Sequence, residues 1–130
     1  MNRQENRQVV EQFWAAIHAN DFRAAGDLLH EEYLLEWPQS GERIRGRANW
    51  VAVNEHYPAA GPWRVTLHRL IADQSGVATE VTVTDGTTTA RAITFSELRD
   101  GRIVHQTEYW PDPFEAAAWR ALWVERTHAS

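Results

Sequence analysis

The 130-residue sequence contains no cysteine and no lysine; all 13 of its basic residues are arginine. The first absence excludes a disulfide framework, a thiolate nucleophile and a zinc–thiolate site. The second excludes a Schiff-base lysine, a phosphate-binding P-loop lysine and a serine–lysine dyad. Long apolar runs are also missing: none approaches the ~20 residues needed to span a bilayer, and the polar start from Met1 to Asn6 lacks the apolar stretch of a secretory leader. A cytoplasmic protein without membrane contact is expected. The net charge of −5 argues against a nucleic-acid surface, which needs a basic stripe to neutralise phosphates. The one basic cluster, Arg43, Arg45 and Arg47, reads as a solvated loop running into a helix.

What is present is ordinary globular usage, 43% apolar and 24% charged, which excludes a disordered chain. Neither repeats nor linkers appear, so residues 1–130 read as a single domain. The histidines His18, His30, His56, His68, His105 and His128 show no metal-ligand spacing. Ser40, Ser75, Ser96 and Ser130 lack a nucleophile-elbow context. No metal and no cofactor is expected.

Helical patterning comes first. Val9, Val10, Phe13, Trp14 and Ile17 recur at helical spacing behind an Asn2/Glu5 capping box. Asn20-Asp21 ends that helix, and Asp21 caps a second through Leu28 and Leu29. Tyr33–Trp37 reads as a strand stopped by Pro38, and Gln39–Glu42 as a polar loop. A third helix over about Arg47–Tyr57 carries Trp50, Val53, Asn54 and Tyr57 on one stripe. The period then changes to alternation. Trp63–Ala72, Val77–Thr84, Thr88–Leu98 and Arg102–Trp110 are rich in Val, Ile, Thr and aromatics, separated by Gly76, Asp85-Gly86 and Asp100-Gly101. Asp-Gly between alternating runs is a strong hairpin signal, so an antiparallel meander follows. Asp112-Pro113-Phe114-Glu115 has the form of a helix start, with Trp119, Leu122 and Trp123 on one side of the helix it opens. The sum is an α+β domain. Its N-terminal helices cover one face of a curved antiparallel sheet, leaving a cone-shaped cavity of the kind that binds small ligands.

This order resembles the SnoaL-like polyketide-cyclase group of the nuclear transport factor 2-like superfamily. The residues that carry the likeness are Phe13–Phe22, Leu28–Tyr33 into Glu36-Trp37-Pro38, Arg45-Gly46-Arg47, and Asp100–Val104 into Glu108-Tyr109-Trp110. The resemblance spans nearly the whole chain and implies the fold. It is less specific about chemistry, because the fold hosts isomerases, cyclases, epoxide hydrolases and binders. The positions similar to the oxyanion-hole tyrosine, the sheet aspartate and the base of ketosteroid isomerases hold Phe13, Thr94 and Trp37, none with the required acid, base or phenol. Those resembling the water-activating set of limonene-epoxide hydrolases hold Leu34, Glu36, Val81 and Val83. One carboxylate position survives, at Glu108.

Glu108 lies in phase with Gln106, Val104 and Trp110 and out of phase with His105, Thr107 and Tyr109. If the resemblance sets the inward face, Glu108 enters a cavity walled by Trp37 and Trp110, where low dielectric raises its pKa for proton shuttling. The competing reading is an ion pair with an arginine at the sheet edge. Phe13, Trp37, Trp50, Asn54, Val81, Thr94, Gln106 and Trp110 are the candidate ligand contacts. Glu80, out of phase with Val77, Val81 and Val83, is an outer-face or interface residue. Ile93, Phe95, Ile103 and Tyr109 form an apolar outer face that argues for a homodimer through the sheet. Three functional readings follow. The first is binding of a small, flat, apolar molecule with cofactor-free isomerisation, cyclisation or hydration by Glu108. The others are a non-catalytic carrier or sensor, and a protein-interaction module using the sheet face.

Overall fold

The structure is a computed structural model that describes residues 2–127; His128 and Ser130 lie outside the described residues. Asn2 caps the first helix, α1 (Arg3–His18), by accepting from the Glu5 N–H at 2.9 Å. The helix ends at Asn20, which adopts a left-handed φ of 60°, a conformation Asn tolerates better than most residues. Asp21 then caps α2 (Phe22–Asp27) through the Ala24 N–H. This helix is shorter than its apolar pattern suggests, because Leu29 already belongs to β1 (Leu29–Trp37) and pairs with Ile103.

The polar stretch expected to be a loop forms a strand, β2 (Glu42–Arg45), paired antiparallel with β1. It is an edge strand with one buried residue, Ile44, so the arginines on either side face solvent and disguise it as loop. Helix α3 (Arg47–His56) follows. The four long strands then run as a meander: β3 (Arg64–Ala72), β4 (Gly76–Thr84), β5 (Thr89–Arg99) and β6 (Arg102–Tyr109). The sheet order is β2-β1-β6-β5-β4-β3, all antiparallel except β1 with β6. That one parallel pairing places the C-terminal ends of β1 and β6 side by side.

Asp100 and Gly101 both have positive φ (53° and 79°), as a tight β5–β6 hairpin requires. Gly76 serves a different need. It opens β4, and a Cβ there would lie 2.2 Å from the Ser96 carbonyl oxygen. The β3–β4 turn itself is held by Asp73, whose carboxylate accepts from the Ser75 and Gly76 N–H groups.

The helices cover the inner sheet face. Val10, Phe13 and Ile17 of α1 pack over Leu29, Tyr33 and Leu35 of β1, Val77, Val81 and Val83 of β4, and Ile103 of β6. Ile103 is fully buried, not on the outer face where simple alternation puts it. A β-bulge explains the change: Leu98 pairs with Ile103 but Glu97 pairs with His105, so Val104 is an extra residue and the phase flips across it. The outer face retains Ile93, Phe95 and Tyr109, together with Ile71, which is 70% exposed.

The C-terminal segment departs most from its sequence pattern. In place of an α-helix opening at Asp112 there is one 3-10 stretch, Ala118–Trp123, and Phe114, Trp119, Leu122 and Trp123 are exposed. Trp119 and Trp123 are therefore not core residues. A capping signal is worth about 1 kcal/mol, too little to hold a short helix whose apolar side has nothing to bury against.

Candidate functional site

Between the helices and the C-terminal ends of β1 and β6 lies a cavity of about 510 Å³. Its walls include Phe13 and Trp14 from α1, Trp50 and Asn54 from α3, Trp37, Gln106 and Glu108 from the sheet, and Trp110 immediately after β6. Val81 and Thr94, the other two residues expected at the ligand, are fully buried in the sheet behind this wall. Thr94 nevertheless shapes the site through Glu108.

Glu108 stands opposite Thr94 in the β5–β6 register, and the Thr94 hydroxyl donates to its Oε2 at 2.7 Å. Its Oε1 accepts from two indoles, Trp37 Nε1 at 3.0 Å and Trp110 Nε1 at 3.2 Å. Trp37 reaches it because β1 runs parallel beside β6, with Glu36 paired to Thr107. Trp110 reaches it from immediately after the end of β6, two residues along the chain. The Trp110 backbone is itself clamped by the Gln39 amide, which bonds both its N–H and its carbonyl. Among the described residues no arginine or histidine pairs with Glu108, so the ion-pair reading of this carboxylate does not hold. Burial pushes its pKa up, and the bonds from Trp37, Thr94 and Trp110 oppose that rise only in part.

One layer deeper, Gln106 joins two hydroxyls. Tyr33 donates to its Oε1 at 2.6 Å, and its Nε2 donates to Ser96 at 3.0 Å. The Tyr33 phenol is held well above its ordinary range by burial and by the nearby Glu108 charge. It is a neutral donor, not a base. Asn54 spends one amide N–H on the Trp50 carbonyl of its own helix.

Residues that the sequence pattern did not single out for the site complete the wall. Trp63 is fixed by a reciprocal pair of bonds: Asn20 Oδ1 accepts from its N–H at 2.7 Å, and Asn20 Nδ2 donates to its carbonyl at 2.9 Å. Tyr57 packs edge-on against Trp63 at 5.3 Å. Position at the start of a strand gives no periodic signal for Trp63; only the left-handed Asn20 facing it hints at the clamp. On β1 the inward residues are Tyr33, Leu35 and Trp37, while Leu34 and Glu36 lie on the other face. Leu34 and Glu36, the β1 positions that resemble the epoxide-hydrolase set, therefore do not line the cavity.

Glu80 lies on the outer face, bonded to Arg69 at 2.9 Å and Arg91 at 3.3 Å. Among the described residues no group of three or more His, Asp or Glu side chains is placed to hold a metal ion. Nor, among the described residues, is any helix long and apolar enough to cross a membrane.

Helices packed over one face of a curved six-stranded sheet are the architecture of the NTF2-like class. Residues 10–106 match the SnoaL-like domain family, and the chain belongs to it. A structure from Kribbella flavida, described as a candidate ketosteroid isomerase, is 31% identical with a TM-score of 0.89; the match covers 98% of this chain and 93% of that one. An NTF2-like protein of unknown function from Burkholderia xenovorans is 34% identical with a TM-score of 0.79, covering 96% and 97%. An M. tuberculosis epoxide hydrolase of the LEH-like type is 26% identical with a TM-score of 0.70, covering 84% of each chain. No curated protein matches this chain.

Proposed function

We propose that the cavity binds a small molecule with a flat apolar body, and that Glu108 acts on it as the single general acid or base in a cofactor-free isomerisation, cyclisation or hydration. The observation that carries this reading is the carboxylate itself: buried, without a cationic partner, and oriented by three donors at the end of an aromatic chamber. A raised pKa brings a carboxyl closer to the neutral range in which proton transfer in both directions is efficient. The ketosteroid isomerase and epoxide hydrolase descriptions of related structures are consistent with acid–base work in such a chamber.

The test has two parts. Titration of ligands into the protein, using aromatic polyketides and terpenoids, is expected to quench or shift the cavity tryptophan fluorescence. NMR titration of the Glu108 carboxyl is expected to return a pKa above the ordinary 4.5; a value at or below it ends the acid–base role. A second reading, a carrier or sensor without turnover, is favoured by Phe13, Thr94 and Trp37, which stand where the ketosteroid isomerases carry their phenol, sheet acid and base. Ligand binding without turnover of any compound, in wild type and Glu108→Gln alike, selects it.

The outer sheet face is assigned to a homodimer. Ile71, Phe95 and Tyr109 expose apolar surface between charged neighbours, in the manner of an interface core with a polar rim. Phe95→Glu is expected to convert a dimer to a monomer in analytical ultracentrifugation while leaving ligand binding intact. A wild-type monomer at all concentrations excludes the assignment.

A further inference from the structure

The cavity wall has an uneven chemistry. Five of the chain's seven tryptophans line it: Trp14, Trp37, Trp50, Trp63 and Trp110. Among the described residues, which include all 13 arginines, the charged side chains on it are both acidic, Glu108 and Asp112, and no arginine lines it. Aromatic faces are the negative regions of the ring quadrupole, so an indole face met by a ligand has the same sign as the carboxylates, while the positive N–H edges of Trp37 and Trp110 are spent on Glu108. We propose that the ligand is an organic cation, a quaternary or protonated ammonium on an apolar body, with its nitrogen held at Glu108 and its methyl or methylene shell against the indole faces.

This rests on the reading of the cavity as a ligand site and adds the charge of what enters. Three of the roughly four lone-pair sites of a carboxylate are filled at Glu108, by Trp37, Trp110 and Thr94. Those donors fix the group in place and do not neutralise it, since each is itself uncharged. A buried carboxylate without a counter-ion is costly, and a neutral ligand that displaces water from the cavity raises that cost. An ammonium lowers it and gains cation–π attraction from the surrounding rings. An anionic ligand meets repulsion from the carboxylates.

Charge and shape separate cleanly in one ligand pair. Phenyltrimethylammonium and tert-butylbenzene have the same outline, and the charge of the first does not titrate. In calorimetric or tryptophan-fluorescence titrations at pH 7.5, the cation is expected to bind roughly tenfold or more tightly than its neutral counterpart. Its affinity should fall as the pH is lowered through the Glu108 titration, because proton and cation compete for one carboxylate. The neutral compound should show no such fall. Among the described residues, the other titratable groups are the Tyr33 phenol beside Glu108, which is neutral throughout, and Asp112 and the Tyr57 phenol on the cavity wall. The pH dependence must therefore persist in Asp112→Asn and vanish with the charge preference in Glu108→Gln. Should Glu108→Gln fail to fold, the wild-type pH dependence, read with Asp112→Asn, decides the matter. Equal or tighter binding of tert-butylbenzene overturns the cation assignment and leaves the cavity as a ligand site. Binding of neither compound overturns it together with the ligand-site reading.

Discussion

Glu80 and Glu108 sit two strands apart on opposite faces of one sheet, and the two faces treat the same side chain in opposite ways. On the outer face Glu80 has two arginines within 3.3 Å, and the Arg69 hydrogen bond leads the causes that hold its pKa below 4.5. On the inner face Glu108 has only neutral donors, and burial drives its pKa up. Thirteen arginines were available to the chain, and the fold sends them outward. A sheet that simply needed stability would pair both carboxylates or bury neither. Keeping one charge unpaired beneath five tryptophans is a feature of a site, since perturbed ionisable groups in clefts concentrate where chemistry or binding occurs.

The largest effect expected concerns what holds the inner face in place. Phe13 is 2% exposed and packs against Trp14 and Trp50, both at 5.4 Å between ring centroids. Phe13→Ala should cost about 3 kcal/mol in urea unfolding, the low end of the range for such truncations, because part of its surface already borders open cavity. A cost near 5 kcal/mol would mean that the chamber is more tightly filled around Phe13 than its volume suggests.

Next comes the contrast between the two carboxylates, which predicts pH slopes of opposite sign. Glu108 has a folded pKa above its unfolded value, so its contribution to stability is complete below about pH 4.5 and is lost as pH rises through the folded pKa. Glu80 has a folded pKa below its unfolded value, so its contribution is present above pH 4.5 and is lost as pH falls through the folded pKa. Relative to Glu108→Gln, wild type should lose stability with rising pH; relative to Glu80→Gln, it should gain. Urea midpoints measured across pH 3–8 check both, and slopes of the same sign would dissolve the comparison.

A smaller change isolates one donor. Trp37→Phe keeps the aromatic wall and removes the Trp37 Nε1 bond to Oε1. The Glu108 pKa should rise further, since that bond favours the charged form. NMR titration of the Glu108 carboxyl reads the shift directly. No change in pKa would assign the holding of the charge to Thr94 and Trp110.

The features legible in the sequence were those whose cause is local. The Asn2/Glu5 cap, the Asp21 cap, the Asp100-Gly101 turn and the alternation through Val77, Val81 and Val83 each depend on residues a few positions apart, and each is present in the fold. The inward turn of Glu108, conditional on the resemblance, is also observed. What escaped depends on distant partners. Strand β2 exists because β1 offers it an edge, not because Glu42–Arg45 is apolar. Ile103 is buried because a bulge at Val104 resets the phase, and no periodicity marks where a bulge falls. Trp63 joins the cavity through Asn20, 43 residues away.

The tryptophans extend the comparison of buried and exposed surfaces to its smallest expected effect. Trp50 is 4% exposed and Trp123 is 76% exposed, although both lie at helical spacing in the sequence. The difference is what stands opposite: Trp50 faces Phe13 and Phe22, whereas the 3-10 stretch carrying Trp123 leaves it in solvent. Trp123→Ala should therefore change stability by no more than about 0.5 kcal/mol, as for other surface substitutions without special contacts. Urea unfolding at two protein concentrations, tenfold apart, checks this. A loss well above 1 kcal/mol that grows with concentration would show that Trp123 is buried against a second copy of the chain, and that the segment after Asp112 belongs with the sheet face as part of an interface.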